Sequence, residues 1–326
     1  MENRNYLTPA EIAEYTVQAG IGKTKLTALN MLLLGILAGA FIAFASEGSN
    51  MAAFNLFSKP ETYGLGKVLA GVVFGTGLML VVVAGGELFT GNTLILTGVL
   101  DRRIGILPML KNWFFVYLGN FIGSLLIAYM MSESGLFHSG ADGLGGITVK
   151  IAAAKVALPF MSAFYLGIMC NWLVCLAVWM SYGAKDMAGK LLAVFFPIWL
   201  FITSGFEHSI ANMYYIPAGI LAKANPAFAA SALDLGLSPE GLANLSWGNM
   251  VTKNLLPVTL GNIVGGTVFV AMTYWFVYLR HAKTGVETKT GMEARNVTEL
   301  KNMSELKRVP SQAEKATDGK LPTDKA

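Results

Sequence analysis

Gly85-Gly86-Glu87-Leu88-Phe89-Thr90-Gly91-Asn92 and Ser204-Gly205-Phe206-Glu207-His208-Ser209-Ile210-Ala211-Asn212 decide how this chain is read. Each interrupts one of the longest apolar stretches of the sequence near its middle. The first stretch runs from Lys67 to Leu100 and the second from Leu191 to Leu221. Each motif puts a carboxylate, a glycine that frees the backbone and an asparagine at the depth of bilayer hydrocarbon. Polar groups there are costly and persist only where protein buries them or a polar cavity receives them. The pattern points to a pore or transporter, not a membrane anchor.

Composition agrees. Of 326 residues, 54% are hydrophobic and only 13% charged, whereas a soluble domain carries roughly 25% charged residues. Mean hydropathy is +0.54. The net charge of +4 is spread over loops and tail, with no basic-aromatic patch of the kind that binds nucleic acid. No nucleic-acid partner is expected; the bilayer is. Residues 1–26 contain Glu2, Glu11 and Glu14 and no continuous apolar core, so no signal peptide is expected. Thr8-Pro9-Ala10-Glu11 reads instead as a capping box with proline in the first turn. The helix it opens, Pro9 to about Gly20, carries Ile12, Tyr15 and Ala19 on one face and is expected on the membrane surface as an amphipathic cytoplasmic segment. Cys170 and Cys175 sit five apart in one apolar segment, a spacing that disfavours a disulfide.

Six apolar runs reach spanning length (about 20 residues): 27–47, 67–100, 107–131, 156–182, 190–222 and 254–280. They define three regions: an N-terminal helix in 1–26, a six-helix pore domain in 27–282 and a disordered cytoplasmic tail in 283–326, which is polar and aperiodic. Basic residues set the orientation. With the N-terminus inside, inner segments hold Arg4, Lys23, Lys25, Arg102, Arg103, Lys111, Lys185, Lys190, Arg280 and nine basic tail residues; outer segments hold Lys59, Lys67, Lys150, Lys155, Lys223 and Lys253. Both termini are expected in the cytoplasm.

The two halves share a pattern. Lys111, Asn112, Val116, Leu118, Gly119, Asn120 and Gly123 recur at the same spacing as Lys253, Asn254, Val258, Leu260, Gly261, Asn262 and Gly265. Leu34-Gly35-Ile36 pairs with Leu166-Gly167-Ile168. Glu87 precedes Asn92 by five, as Glu207 precedes Asn212. Three spans per copy is an odd number, so the second copy enters the membrane upside down. The expected fold is therefore an all-α membrane protein with six transmembrane helices in an inverted 3+3 repeat, the second and fifth helices broken and the site between the repeats near the midplane. Glycine pairs four apart, such as Gly35/Gly39, Gly71/Gly75, Gly119/Gly123 and Gly261/Gly265, suit close helix packing.

His208 is the one histidine placed at membrane depth; a neutral imidazole both donates and accepts and titrates near physiological pH. Thr90 in the other break is positioned to meet it, and Asn171, in mid-span four, to fix the imidazole or to hold helices together. A carboxylate facing an anion path would repel it, so Glu87 and Glu207 are expected to accept from freed backbone N–H groups at helix N-termini. Phe74, Leu78, Phe89 and Phe201 lie near the breaks and read as packing on sequence alone, although apolar constrictions stop hydrated ions. Lys155 opens span four on the outer side and either snorkels or draws anions. Gly22-Lys23-Thr24 lacks the upstream glycine of a phosphate loop, and neither a His-Glu-x-x-His helix nor a Gly-x-Ser-x-Gly elbow is present. An intramembrane enzyme lacks a nucleophile or metal cluster, so no enzyme, cofactor or metal is expected. The absence of Asn-Pro-Ala argues against an aquaporin.

Four strings carry a family resemblance: Gly86 to Asn92, Cys175-Leu176-Ala177-Val178-Trp179-Met180-Ser181-Tyr182, Ser204 to Met213, and Leu256-Pro257-Val258-Thr259-Leu260-Gly261-Asn262. They resemble the formate/nitrite transporter family from about Leu7 to His281. The resemblance implies an aquaporin-like protomer, a homopentamer and one anion pore per protomer in the cell membrane. It places the central histidine on His208, the loop threonine on Thr90, the buried asparagine on Asn171, the outer attracting lysine on Lys155 and the apolar constrictions on Phe74, Leu78, Phe89 and Phe201, with Val174 nearby. Asn92 and Asn212 stabilise the loops with the two glutamates. The tail after Lys283 is longer than the family pattern. The expected substrate is formate, carried passively or with a proton; nitrite or hydrosulfide is the alternative within the family, and a neutral solute the remote one.

Overall fold

Thr8 opens the first helix as its sequence requires. Its hydroxyl accepts from the Glu11 N–H at 3.4 Å, and the Glu11 carboxylate accepts from the Thr8 N–H at 2.7 Å. A computed structural model of the protein describes residues 5–280 and is helical throughout; among the described residues the only β pairing is an isolated bridge between Tyr6 and Ala184. Helix α1 (Pro9–Thr24) buries Ile12, Ala13, Thr16, Val17 and Gly20 against the helices of the core. The sequence reading grouped Ile12, Tyr15 and Ala19 on one face; of these Ile12 is buried, whereas Tyr15 is 46% exposed and leans on Tyr182 with ring centroids 5.0 Å apart. The residues four apart that do turn inward are the smaller ones, because α1 packs closely on protein.

Six helices among the described residues are long and apolar enough to cross a membrane. They are α2 (Ala28–Phe57), α3 (Pro60–Gly85), α5 (Ile106–Glu133), α7 (Phe160–Gly183), α8 (Met187–Ser204) and α12 (Trp247–Leu279), with α4 (Phe89–Leu100) a shorter apolar helix. Helices α6 (Gly143–Val156), α9 (Ser209–Ala222), α10 (Pro226–Asp234) and α11 (Pro239–Asn244) complete the fold. These elements belong to one compact unit that ends at Leu279. The tail expected over 283–326 lies outside the described residues.

Three boundaries differ from the sequence reading, each for a local reason. Helix α2 continues ten residues past the expected end at 47, because the polar group there turns inward: Ser49 donates to the carbonyls of Ala45 and Ala70, and Glu47 receives the Tyr214 hydroxyl. Lys155 does not begin span four. It closes the separate helix α6, since Pro159 bars the preceding residue from helical geometry and starts α7 afresh. The connection between α9 and α12 contains two short proline-started helices that the apolar count did not register.

Glycine makes the core thin. A Cβ on Gly39 would stand 2.1 Å from the Asn120 carbonyl oxygen, and one on Gly123 2.0 Å from that of Ile36. On the other side, a Cβ on Gly261 would meet the Phe164 carbonyl at 2.2 Å and one on Gly265 that of Ile168 at 2.3 Å. α2 on α5, and α7 on α12, are backbone-to-backbone contacts. Gly123→Val should therefore cost at least the roughly 1–3 kcal/mol of ordinary overpacking and lower the thermal midpoint in detergent. Gly64→Ala, with open space around it, should leave the midpoint unchanged or raise it.

Candidate functional site

The helical ladder stops twice in the middle of the fold. α3 ends in a π-helical turn at Val81–Gly85, Gly85 adopts φ +96°, Gly86 and Leu88 are extended, and helix resumes at Phe89. α8 ends at Ser204 with Gly205 at φ +79°, and α9 begins after the extended His208. Only glycine takes such positive φ without strain.

Each interruption is held by the same kind of bonds. The Glu87 N–H donates to the Leu34 carbonyl (3.1 Å), and the Glu207 N–H to that of Leu166 (3.3 Å). Asn120 accepts from the Phe89 N–H at 2.9 Å and donates to the carbonyls of Gly35 and Glu87. Asn262 accepts from the Ser209 N–H at 2.9 Å and donates to the carbonyls of Gly167 and Glu207. Both amides are fully buried. The freed backbone groups thus reach side chains rather than lipid.

The carboxylates behave differently from expectation. Glu87 pairs with Lys23 of α1 at 2.6 Å and accepts from Asn92 at 2.6 Å. Glu207 pairs with Lys155 at 2.8 Å and accepts from Asn212 at 2.6 Å. Neither caps a backbone N–H through its carboxylate; that work falls to the two asparagine amides. The reason is charge: a buried carboxylate gains more from an ammonium than from a neutral amide. Asn112 and Asn254 bind Asn92 and Asn212 in turn. At Lys23, burial opposes the ammonium, but the Glu87 carboxylate, helped by Tyr182, outweighs it and holds the group above its ordinary range. The stability this pair provides is fully present below the ordinary lysine range and is lost as pH rises through the higher folded value.

The two interruptions meet at their centre. The Thr90 hydroxyl lies 2.9 Å from His208 Nε2, and both residues are buried. The Ala211 N–H donates to His208 Nδ1 at 3.1 Å, so Nδ1 is the acceptor, and the neutral ring carries its proton on Nε2, aimed at Thr90. Asn171 does not touch the imidazole. Its amide donates to the Thr90 carbonyl (3.1 Å), Thr93 Oγ1 (3.2 Å) and the Asn262 carbonyl (2.7 Å). It fixes Thr90 instead, because mid-α7 faces the α4 turn. The N-terminal ends of α4 and α9 both reach this point and make it electropositive.

Phe74 and Phe201 stand edge to face at 5.7 Å, and Phe201 lies 6.0 Å from the imidazole. Phe89 packs instead on Trp113 and Tyr117. Leu78 and Val174 are buried in the same core. Beside Glu207 opens a cavity of about 940 Å³, whose wall carries Lys59, Lys67, Lys150, Lys155 and, as its one acid among the described residues, Glu207. The sequence reading passed over Lys23, Asn112, Asn120, Asn254 and Asn262 as site residues. The repeat that it recognised contained all but the first.

Two helix interruptions sharing a buried polar centre, inside six membrane-length helices, define a membrane transport protein. A family model described as formate/nitrite transporter matches residues 10–276, and the chain belongs to that family. The formate channel FocA of Escherichia coli (strain K12) is 40% identical over 277 residues, 84% of this chain and 95% of that one. A probable formate transporter of Methanothermobacter thermautotrophicus is 38% identical, over 82% and 93% of the two chains. A solved pentameric formate channel with formate bound superposes with TM-score 0.68 at 39% identity, over 78% of this chain and 98% of that one.

Lys23→Met should destabilise the protein by about 3–5 kcal/mol, because it leaves Glu87 buried without its cation. Lys23→Met combined with Glu87→Gln should recover most of that loss. Thermal unfolding of the purified protein in detergent measures both.

Proposed function

We propose that the chain conducts formate, a small monovalent weak-acid anion, through a pore in each protomer of a homopentamer. The observation that carries the reading is the buried Thr90–His208 bond at 2.9 Å, set between two helix N-termini. The relatives, a formate channel and a probable formate transporter, and the pentameric neighbour with formate bound support substrate and assembly. The parallel bonding of the two interruptions supports an inverted 3+3 repeat with broken second and fifth spans in an aquaporin-like protomer. The distribution of basic residues supports cytoplasmic termini in the cell membrane.

The mechanism follows from the groups in place. Four lysines against one glutamate give the cavity a positive field that gathers anions. Lys155 belongs to that field while its ammonium is bound to Glu207. Lys67 has no hydrogen-bond or ion-pair partner among the described residues and contributes an unpaired charge. The Phe74–Phe201 pair, with Leu78, forms one apolar constriction, and Phe89 with Val174 the other, so the anion sheds water before it reaches Thr90. There it meets a hydroxyl that accepts from His208 Nε2–H and is free to donate its own proton. Asn171 keeps that hydroxyl in register.

Proton transfer to formate requires a second proton on the ring, at Nδ1, taken from a hydronium ion that is left as water. That displaces the Ala211 N–H, a loss on the order of 1–3 kcal/mol for a buried donor. On transfer through the Thr90 hydroxyl the Nε2–H bond breaks, an O–H bond forms on formate, and the ring is left neutral. His208 therefore acts first as a neutral hydrogen-bond donor and shares a proton only when a bound anion offsets the imidazolium. Formic acid, being neutral, then crosses the second constriction at far lower desolvation cost than formate. Nitrite is the second reading, favoured by the formate/nitrite scope of the family, with hydrosulfide, an anion of similar size and charge, beside it.

Uptake of labelled formate into proteoliposomes, from acidic to mildly alkaline external pH and with nitrite or hydrosulfide as competitors, tests the substrate. Flux that rises toward low pH and resists both competitors is expected; a competitor that readily outpaces formate moves the substrate. His208→Phe should remove the part of the pH dependence that runs through the imidazole, and unchanged pH-dependent flux in that variant rejects the scheme. Lys67→Gln should lower uptake at low ionic strength, with the difference shrinking as salt rises, since screening acts over about 10 Å at 0.1 M.

A further inference from the structure

Helix α2 carries a carboxyl that the central site does not use. Glu47 is 7% exposed, and its Oε2 accepts the hydroxyl of Tyr214 from α9. Its Oε1 is buried and, among the described residues, without a partner. One helical turn on, Asn50 is 2% exposed, and its Nδ2 is also buried and unpartnered. An unmet acceptor and an unmet donor thus stand at i and i+3 on one helix face. Asn50 and its neighbour Ser49 line the 940 Å³ cavity.

The groups around Glu47 leave it without a bonded cation. On its own helix, Ser46 donates to the Ile42 carbonyl and Ser49 to those of Ala45 and Ala70. α9 brings Tyr214 and Tyr215, the latter beside Ser46 and Ser49. α6 brings Lys150, which donates to the Leu235 carbonyl, and Lys155, which pairs with Glu207 and stands over the Tyr215 ring. α3 brings Lys67 along the cavity wall. The nearest ionisable side chains of α5 in register, Tyr129 and Glu133, are exposed. A metal does not fit: among the described residues no three His, Cys, Asp or Glu side chains gather. An anion would meet the carboxylate. Water fits, accepting from Asn50 Nδ2 and donating to Glu47 Oε1.

We propose that Glu47 is a proton-exchange site behind the cavity wall, served by a water held between its Oε1 and Asn50, which lines the cavity. Hydronium from the cavity gives up one proton: an O–H bond of hydronium breaks, one forms on Oε1, and water remains. The reverse step releases it. Tyr214 donates to Oε2 throughout. Ionised, Glu47 offsets one of the four cavity lysines; protonated, it leaves their field whole. The cavity then gathers anions better at low pH by a route separate from His208. That consequence rests on the anion-pore reading, whereas the proton exchange itself does not.

The test uses the full chain in liposomes. In pH-difference infrared spectra, wild type should gain a protonated-carboxyl band as pH falls that E47Q lacks, and N50L should shift it. Identical difference spectra in wild type and E47Q overturn the site. In formate uptake, E47Q should stay active while its ratio of acid to neutral flux drops about threefold, as expected for one unit charge acting over about 10 Å in a polar cavity. E47D should restore the ratio, and an E47Q profile that superimposes on wild type overturns the coupling. Should E47Q not assemble, Y214F keeps the carboxyl, removes the donor to its Oε2 and must move the midpoint of the band; an unmoved midpoint also overturns the site. A titrating Glu47 band in a chain that takes up no formate supports the site and ends the formate reading.

Discussion

A backbone interrupted inside hydrocarbon must have its freed N–H and C=O groups met by protein, and two asparagines meet that demand here. Asn120 and Asn262 each bind one N–H at the start of a resumed helix and two carbonyls, one on the neighbouring helix and one in the interruption. Each amide therefore fixes three backbone segments at once. It reaches them only because Gly35 and Gly39, and Gly261 and Gly265, let helix backbones touch. Close packing and polar satisfaction are one constraint: a side chain at these glycines would push the amides out of range, and without the amides the interruptions would expose bare peptide groups.

Charge is arranged within that frame. Glu87 and Glu207 are buried, yet each faces an ammonium and an asparagine amide. A carboxylate so bound adds little repulsion along a path for anions. The pairing also ties α1 to the first interruption and α6 to the second, so segments outside the membrane-length helices take part in holding the centre. The N-terminal helix, which sequence placed on the membrane surface, is in this sense part of the core.

Sequence made the larger features legible because they rest on length and spacing. Six spanning helices, the positions of both interruptions and the Thr90–His208 encounter all follow from where polar residues break apolar runs. What escaped depends on which partner wins a side chain. Nothing local says that Glu87 chooses Lys23, sixty-four residues away, over a backbone N–H beside it. Asn171 was expected near the imidazole, but α7 turns its amide to the Thr90 carbonyl. Glu47 escaped for the opposite reason: it looked like the polar end of a span, whereas α2 continues and buries it.

The frame is shared by both interruptions, and the chemistry is not. Glutamate is followed five residues later by asparagine in each, and the bonds to lysine and amide correspond. At the residue after the glutamate the two differ: Leu88 in the first, His208 in the second. His208 accepts from the Ala211 N–H and caps its helix. Leu88 has no atom to do so, and the helix after it tightens to a 3₁₀ turn at Thr93–Ile95, where Thr93 donates to the Thr90 carbonyl. The histidine cap orients the ring, and the orientation sends Nε2 to Thr90. A symmetric pair of leucines would hold the same backbone with nothing to offer an anion. A symmetric pair of histidines would set two N–H donors against each other or demand opposite tautomers. One histidine against one threonine is the arrangement in which every ring nitrogen has a partner and one hydroxyl proton is left over for a guest.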